Sequence, residues 1–273
     1  MISSLHQIIK RDITLRYNNA KNALMYNLLI LILISLLSIL MDEGNDLLVI
    51  LLTKVFGGFS YSSLDDFLSK SGLSLPYYWL LFQTLFILSL GTYFNDDLIQ
   101  TSEFVIIRTG KERFINSKIL SLLIYCFIYI ISLLALIVII ALLFYLIGFS
   151  DIFTSFYRNI IEVNSKSIFF IYFFYLGLTL FIEAMFFEFL SLKFNQIVGF
   201  ISIIFLLFVS MFNRNILLIG SYSMLYRWTE SDILINNQVT ILIWIFFLIV
   251  LLYIVIRTVA YSIDLVSRKG VEK

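Results

Sequence analysis

An all-α integral membrane protein with six transmembrane helices is the fold class this sequence predicts. Three observations predict it. The 273 residues are 61% hydrophobic and only 14% charged, against roughly 45–50% and about 25% in globular domains. The apolar residues gather in long continuous runs, as spanning helices require, and do not alternate as barrel strands do. Taken alternately, the segments between the runs divide the nineteen Lys and Arg residues thirteen to six, the bias expected of a chain that crosses a bilayer back and forth.

The first 22 residues are polar and amphipathic. Ile2, Leu5, Ile8, Ile9 and Ile13 recur at helical spacing, with Lys10 and Arg11 off the stripe and Arg16 interrupting it. This pattern predicts a helix lying in the membrane interface ahead of the first span. A basic topogenic leader with no other task is the plainer reading. The segment lacks the short apolar core and small-residue cleavage site of a signal peptide.

Six stretches have the length and composition of spans: 23–41, 77–94, 119–148, 167–190, 197–212 and 239–256. The third is long enough to tilt or protrude. The fifth is short and borrows residues from its flanks. The run 47–56 carries Lys54 and is too short to cross, so an interfacial or re-entrant helix is expected there.

With the N-terminus inside, segments 1–22, 95–118, 191–196 and 257–273 hold four, four, one and four of the nineteen basic residues. The outer segments 42–76, 149–166 and 213–238 hold two each. The bias places both termini in the cytoplasm and agrees with an even number of spans. The segment 213–238 is no plain polar loop. Its apolar pieces ILLIG and SMLYRW are broken by Gly220 and polar residues, which predicts short half-helices dipping into the outer leaflet. Irregular backbone is tolerated at that depth only against protein or water. No repeat or linker divides the chain, so 1–273 reads as one domain.

Much chemistry is excluded. Net charge is +1, so nothing in the bulk charge points to nucleic acid. His6 is the lone histidine and Cys126 the lone cysteine. Metal sites built on several His or Cys ligands are therefore unavailable, as is a His-based nucleophile triad. Cys126 is expected to be a small packed hydrophobe. No GxxxxGK[ST] loop is present, so this chain has no P-loop for a nucleotide. An enzyme is not expected, and neither a catalytic residue nor a metal is assigned.

Four polar residues within the spans are candidates for a translocation path or a helix interface: Asn27, Gln83, Glu183 and Glu188. Intramembrane carboxylates are functional candidates by default. Glu183 and Glu188 point about 140° apart around a helix, so they do not form one paired site. Glu188 stands near the end of its apolar run with Lys193 beyond it, and reaching the cytoplasmic interface would satisfy it. Glu183 lies deeper. It either rests neutral or hydrogen-bonded between helices, or faces a path. Asn27 and Gln83 are read as interhelical hydrogen-bond partners.

The loop after the second span reads NDDLIQTSEFVIIRTGKERFINSK. It runs acidic, then apolar, then Arg-Thr-Gly-Lys-x-Arg, then Lys at the mouth of the third span. Together with the amphipathic leader at 1–20 and the broken segment at 213–236, this layout resembles the membrane subunit of ABC-2 type transporters. Within that class it is similar to small permeases of bacteriocin, lantibiotic and other amphipathic-peptide export or immunity. The resemblance covers the whole chain in layout. It implies an interfacial elbow helix, a coupling helix at 95–112 docking on a separate ABC ATPase subunit, and outer re-entrant helices. It also implies a second permease copy or a paralogue, ATP and Mg held by the ATPase, a peptide or other hydrophobic substrate, and residence in the bacterial cytoplasmic membrane.

The residues fit that role on their own terms. Glu103, Phe104, Ile106 and Ile107 offer an apolar insert with an acidic start. Arg108, Lys111 and Arg113 add charge for steering and register. The plainer reading is that these bases only set topology. A separate class, an ATP-independent scaffold, sensor component or secondary carrier, is the alternative function. The paired broken spans of a carrier are not visible in the sequence.

Overall fold

The computed structural model describes residues 5–40, 47–58, 76–91, 110–146, 165–213, 215, 217–229 and 232–262. These residues form helices, with no strand among them.

Helix α1 (Leu5–Leu40) is continuous over 36 residues. At 1.5 Å per residue that is about 54 Å, well beyond a hydrocarbon core of about 30 Å. The expected interfacial helix and first span are thus one rod, with no break at residue 22. The reason is local. The stretch YNNAKNAL at 17–24 contains neither Gly nor Pro, and nothing in it costs enough to interrupt a helix. The apolar stripe read from the sequence also turns out differently. The buried positions are Ile8, Asp12 and Arg16, four residues apart, while Ile9 and Ile13 are only partly covered.

Helix α2 (Leu47–Phe56) matches the short run with Lys54. It ends where Gly57 N–H donates to Thr53 O at 2.7 Å. A side chain at Gly57 would stand 2.6 Å from the Tyr226 ring, and Gly57 O accepts from Tyr226 N–H at 3.0 Å. Only glycine admits that approach.

Helix α3 (Tyr77–Leu90) starts behind Pro76, whose fixed φ suits a helix start. Helix α4 (Lys111–Leu146) starts behind Gly110, at φ +83°. The sequence reading begins this span at residue 119. Instead KERFINSK forms the first two turns of the helix, so its charges are set on fixed faces. Helices α5 (Ser165–Lys193) and α6 (Gln196–Phe212) meet at a tight turn. Asn195 Oδ1 accepts from Val198 N–H at 2.8 Å and caps α6. A 3₁₀ turn (Ile219–Ser223) and two short helices, α7 (Leu225–Thr229) and α8 (Asp232–Asn236), lead into α9 (Gln238–Ser262).

Three helical stretches are long and apolar enough to cross a membrane: Lys111–Leu143, Phe170–Lys193 and Gln238–Tyr261. They are the mark of a helical membrane protein. Three shorter apolar stretches, Met25–Ile34, Tyr77–Leu90 and Gln196–Phe212, fall where the other runs lie. Helix α5 is central, with 67% of its most apolar window buried, and α9 is peripheral at 22%. Around α5 pack α9, α6, α4 and the 3₁₀ turn, while α1 lies along α4 and α3. The outward face of α9 exposes Ile243, Phe246, Phe247 and Ile254, a surface suited to an apolar solvent.

Candidate functional site

The start of α4 is tied to two neighbours. On one side it meets the end of α9. Lys111 Nζ donates to Tyr261 O at 3.0 Å and lies over the Tyr261 ring. Glu112 pairs with Arg257 at 2.8 Å, both well exposed, and Tyr253 Oη donates to Asn116 Oδ1 at 2.8 Å. Arg113 is exposed in the same turn. Exposed pairs of this kind add little stability, typically under about 1 kcal/mol. They set geometry.

On its other side α4 meets α1 through buried charge. Ser117 Oγ donates to Asp12 Oδ2 at 3.1 Å, and Lys118 Nζ stands 3.4 Å from Asp12 Oδ1. Arg11 reaches the same Oδ1 at 2.8 Å. The Asp12 and Lys118 side chains are fully buried. One turn further along α1, Arg16 Nη1 donates to Glu188 Oε1 of α5 at 3.3 Å, with 2% of each side chain exposed. Cys126 of α4 is buried and forms no disulfide. Two ion pairs therefore leave α1 in succession, the first to α4 and the second to α5.

This arrangement reassigns two residues. Lys118 reads in the sequence as a charge at the membrane boundary, yet it is enclosed and paired. Glu188 reads as reaching toward the interface, yet it is held by Arg16 inside the bundle. Asp12 and Arg16 were not singled out as site residues. The available signal was their i, i+4 spacing after Ile8, with Asp12 the sole acid among residues 1–22.

The remaining expected residues divide. Asn27 Nδ2 donates to Tyr129 Oη at 2.7 Å, joining α1 to α4. Gln83 and Glu183 are buried at 0% and 2% exposure, and no side-chain oxygen or nitrogen of either finds a hydrogen-bond partner among the described residues. Glu103, Phe104, Ile106, Ile107 and Arg108 lie outside the described residues, so the coupling segment is represented only by Lys111 and Arg113. Between α3 and α4 runs an aromatic seam. Phe82 stacks on Tyr129 and Phe86 on Tyr125, with ring centroids at 5.9 and 6.4 Å. Ser89 Oγ and Tyr125 Oη share a hydrogen bond of 2.6 Å.

The broken segment after α6 is satisfied by side chains. Ser223 O accepts from Trp79 Nε1 and from Tyr172 Oη, both at 3.0 Å. Trp228 Nε1 donates to Tyr222 O at 3.1 Å. Buried Arg227 donates to Met211 O at 2.6 Å and to Ser221 Oγ at 2.5 Å. Irregular backbone is thereby supplied with partners from rigid neighbours. This patch meets α5 near Tyr172, and the ion pair meets it at Glu188. Sixteen residues separate them, about 24 Å of helix.

Among the described residues, no group of three or more His, Cys, Asp or Glu is placed to hold a metal. Compared with family models, with curated proteins and with solved structures, the chain shows no match to any of them.

Proposed function

We propose that this chain is the permease subunit of an ABC-2 type transporter, exporting an amphipathic or hydrophobic substrate such as a peptide, in bacteriocin export or immunity. It crosses the cytoplasmic membrane six times with both termini inside. Two copies, or one copy and a paralogue, pair with separate ATPase subunits that bind ATP and Mg.

The observation that carries this reading is the segment between α6 and α9. The 3₁₀ turn folds against α5 and α6, and the short helix α7 against α5, with Tyr222 and Trp228 fully buried. A simple loop would not bury such residues. A re-entrant pair at this place in the chain is what the resemblance implies. The mouth of α4 adds support. It follows the charged loop directly and is tied to α9, α1 and, through α1, to α5. A push on the loop would thus reach four helices, as a subunit driven by an external motor needs.

The test is copurification. Detergent-extracted protein should bring down an ABC ATPase from its native host. Arg108→Glu combined with Arg113→Glu should release that partner and abolish transport, while the permease still accumulates. Intact transport in the double variant, or no associated ATPase, would overturn the proposal.

A further inference from the structure

Gln83 and Glu183 stand apart from the rest of the interior. Among the described residues, every other buried polar side chain has at least one hydrogen-bond or ion-pair partner. These two have none at any side-chain oxygen or nitrogen. Native interiors rarely leave such groups unpaired, and those that persist call for a reason.

Their places can be compared. Trp79 of α3 and Tyr172 of α5 both donate to Ser223 O, so the two helices are level there. Gln83 lies four residues beyond that level and Glu183 eleven, which is about 6 Å and about 16 Å of helical rise. The two groups are therefore offset by about 10 Å along the bundle. The aromatic seam of Phe82, Phe86, Tyr125 and Tyr129 joins α3 to α4 beside Gln83 in the chain. The helices α4 and α5 that carry the seam and Glu183 pack against each other.

We infer that Gln83 and Glu183 are the two polar contacts of a ligand site between α3, α4 and α5, for an elongated amphipathic molecule carrying a protonated amine. The carboxylate of Glu183 takes the ammonium group, Gln83 hydrogen-bonds a polar group further along the ligand, and the aromatic rings flank its apolar body. Aromatic faces attract cations as well as alkyl chains. The packing between these helices opens to admit the ligand and closes again when it leaves. The inference rests on the permease reading only in calling that ligand the transported substrate.

The experiment uses the full chain in nanodiscs of uncharged lipid, without any ATPase. The probe is a fluorescent long-chain primary amine, compared with the alcohol of equal chain length, and empty nanodiscs give the partition background. Wild type should bind the amine saturably, about tenfold or more tighter than the alcohol. Glu183→Gln keeps shape and hydrogen bonding but removes the charge, and should erase that preference while alcohol binding stays. Gln83→Leu should weaken both probes by a few fold. Equal affinity of wild type for amine and alcohol overturns the site, without depending on any variant folding. So does an unchanged amine preference in Glu183→Gln, or no saturable binding above empty discs. Loss of the ATPase in copurification with the amine preference intact would instead remove the permease reading and leave the site standing.

Discussion

Arg16 of α1 and Glu188 of α5, 172 positions apart in the chain, form an ion pair of 3.3 Å with 2% of each side chain exposed. A buried pair is weak evidence for net stability, because both charges lose their solvation. Removing one partner is a different matter, since the other is left as an uncompensated charge. Arg16→Met or Glu188→Leu alone should therefore cost about 3–5 kcal/mol. The double variant should recover most of that loss. A double-mutant cycle of unfolding in mixed detergent reads the coupling. Additive losses would show that the pair does not act as a unit.

Asp12 offers a graded version of the same argument. Its carboxylate collects Arg11, Ser117 and Lys118. Asp12→Asn keeps a hydrogen-bonding group but strands the Lys118 charge. Ser117→Ala removes one neutral donor and leaves both ions paired. The expected order of loss is Asp12→Asn well above Ser117→Ala, the latter at about 1 kcal/mol. Lys118→Met with Asp12→Leu should restore stability toward wild type.

Hydropathy and charge reveal half of this molecule and hide the other half for one reason. Long continuous apolar runs become helices in an apolar solvent, since within one run only a helix satisfies its own backbone. The ends of α3, α6 and α9 accordingly lie close to the runs 77–94, 197–212 and 239–256. A buried ion pair has no such signature. Each half looks like a charge that belongs outside, which is how Lys118 and Glu188 read before Asp12 and Arg16 are seen beside them. The stripe at the start of α1 misleads similarly. Counting Ile and Leu picks one face of the helix, but the face that packs is Ile8, Asp12 and Arg16, because the neighbours it meets are Lys118 and Glu188. Which partner a polar residue finds is decided by tertiary packing, and no local pattern encodes it. Asn27 illustrates the easier case. A lone amide in an apolar run has to find an interhelical partner, and Tyr129 is the one it finds.

That hydrogen bond, at 2.7 Å, is a modest contributor by itself. Interhelical hydrogen bonds of this kind average about 0.6 kcal/mol in membrane bundles. Tyr129→Phe should cost about that much or a little more. Asn27→Leu should cost no more, because it deletes the amide and leaves only a hydroxyl to be satisfied. The pair should be non-additive in a double-mutant cycle. A loss above about 3 kcal/mol from Tyr129→Phe would show that its hydroxyl serves something beyond Asn27.

Arg227 makes the sharpest case for the broken segment. Helix α6 ends at Phe212, and its last carbonyls have no partner within the helix. Arg227 Nη2 donates to Met211 O at 2.6 Å, while Nη1 reaches Ser221 Oγ at 2.5 Å and Asn213 O at 3.5 Å. One planar fork thus caps α6 and pins the 3₁₀ turn at once, and its positive charge suits the negative end of a helix. Lysine carries the charge but not the fork. Arg227→Lys should therefore lose the bridge to Ser221 and cost about 1–2 kcal/mol, and Arg227→Met should cost more, about 3 kcal/mol, because buried carbonyls are left unpaired. Both variants should expose the 213–238 segment to added protease before the rest of the chain. Equal resistance of Arg227→Met and wild type at that segment would mean that the turn is held by Trp79, Tyr172 and Trp228 alone.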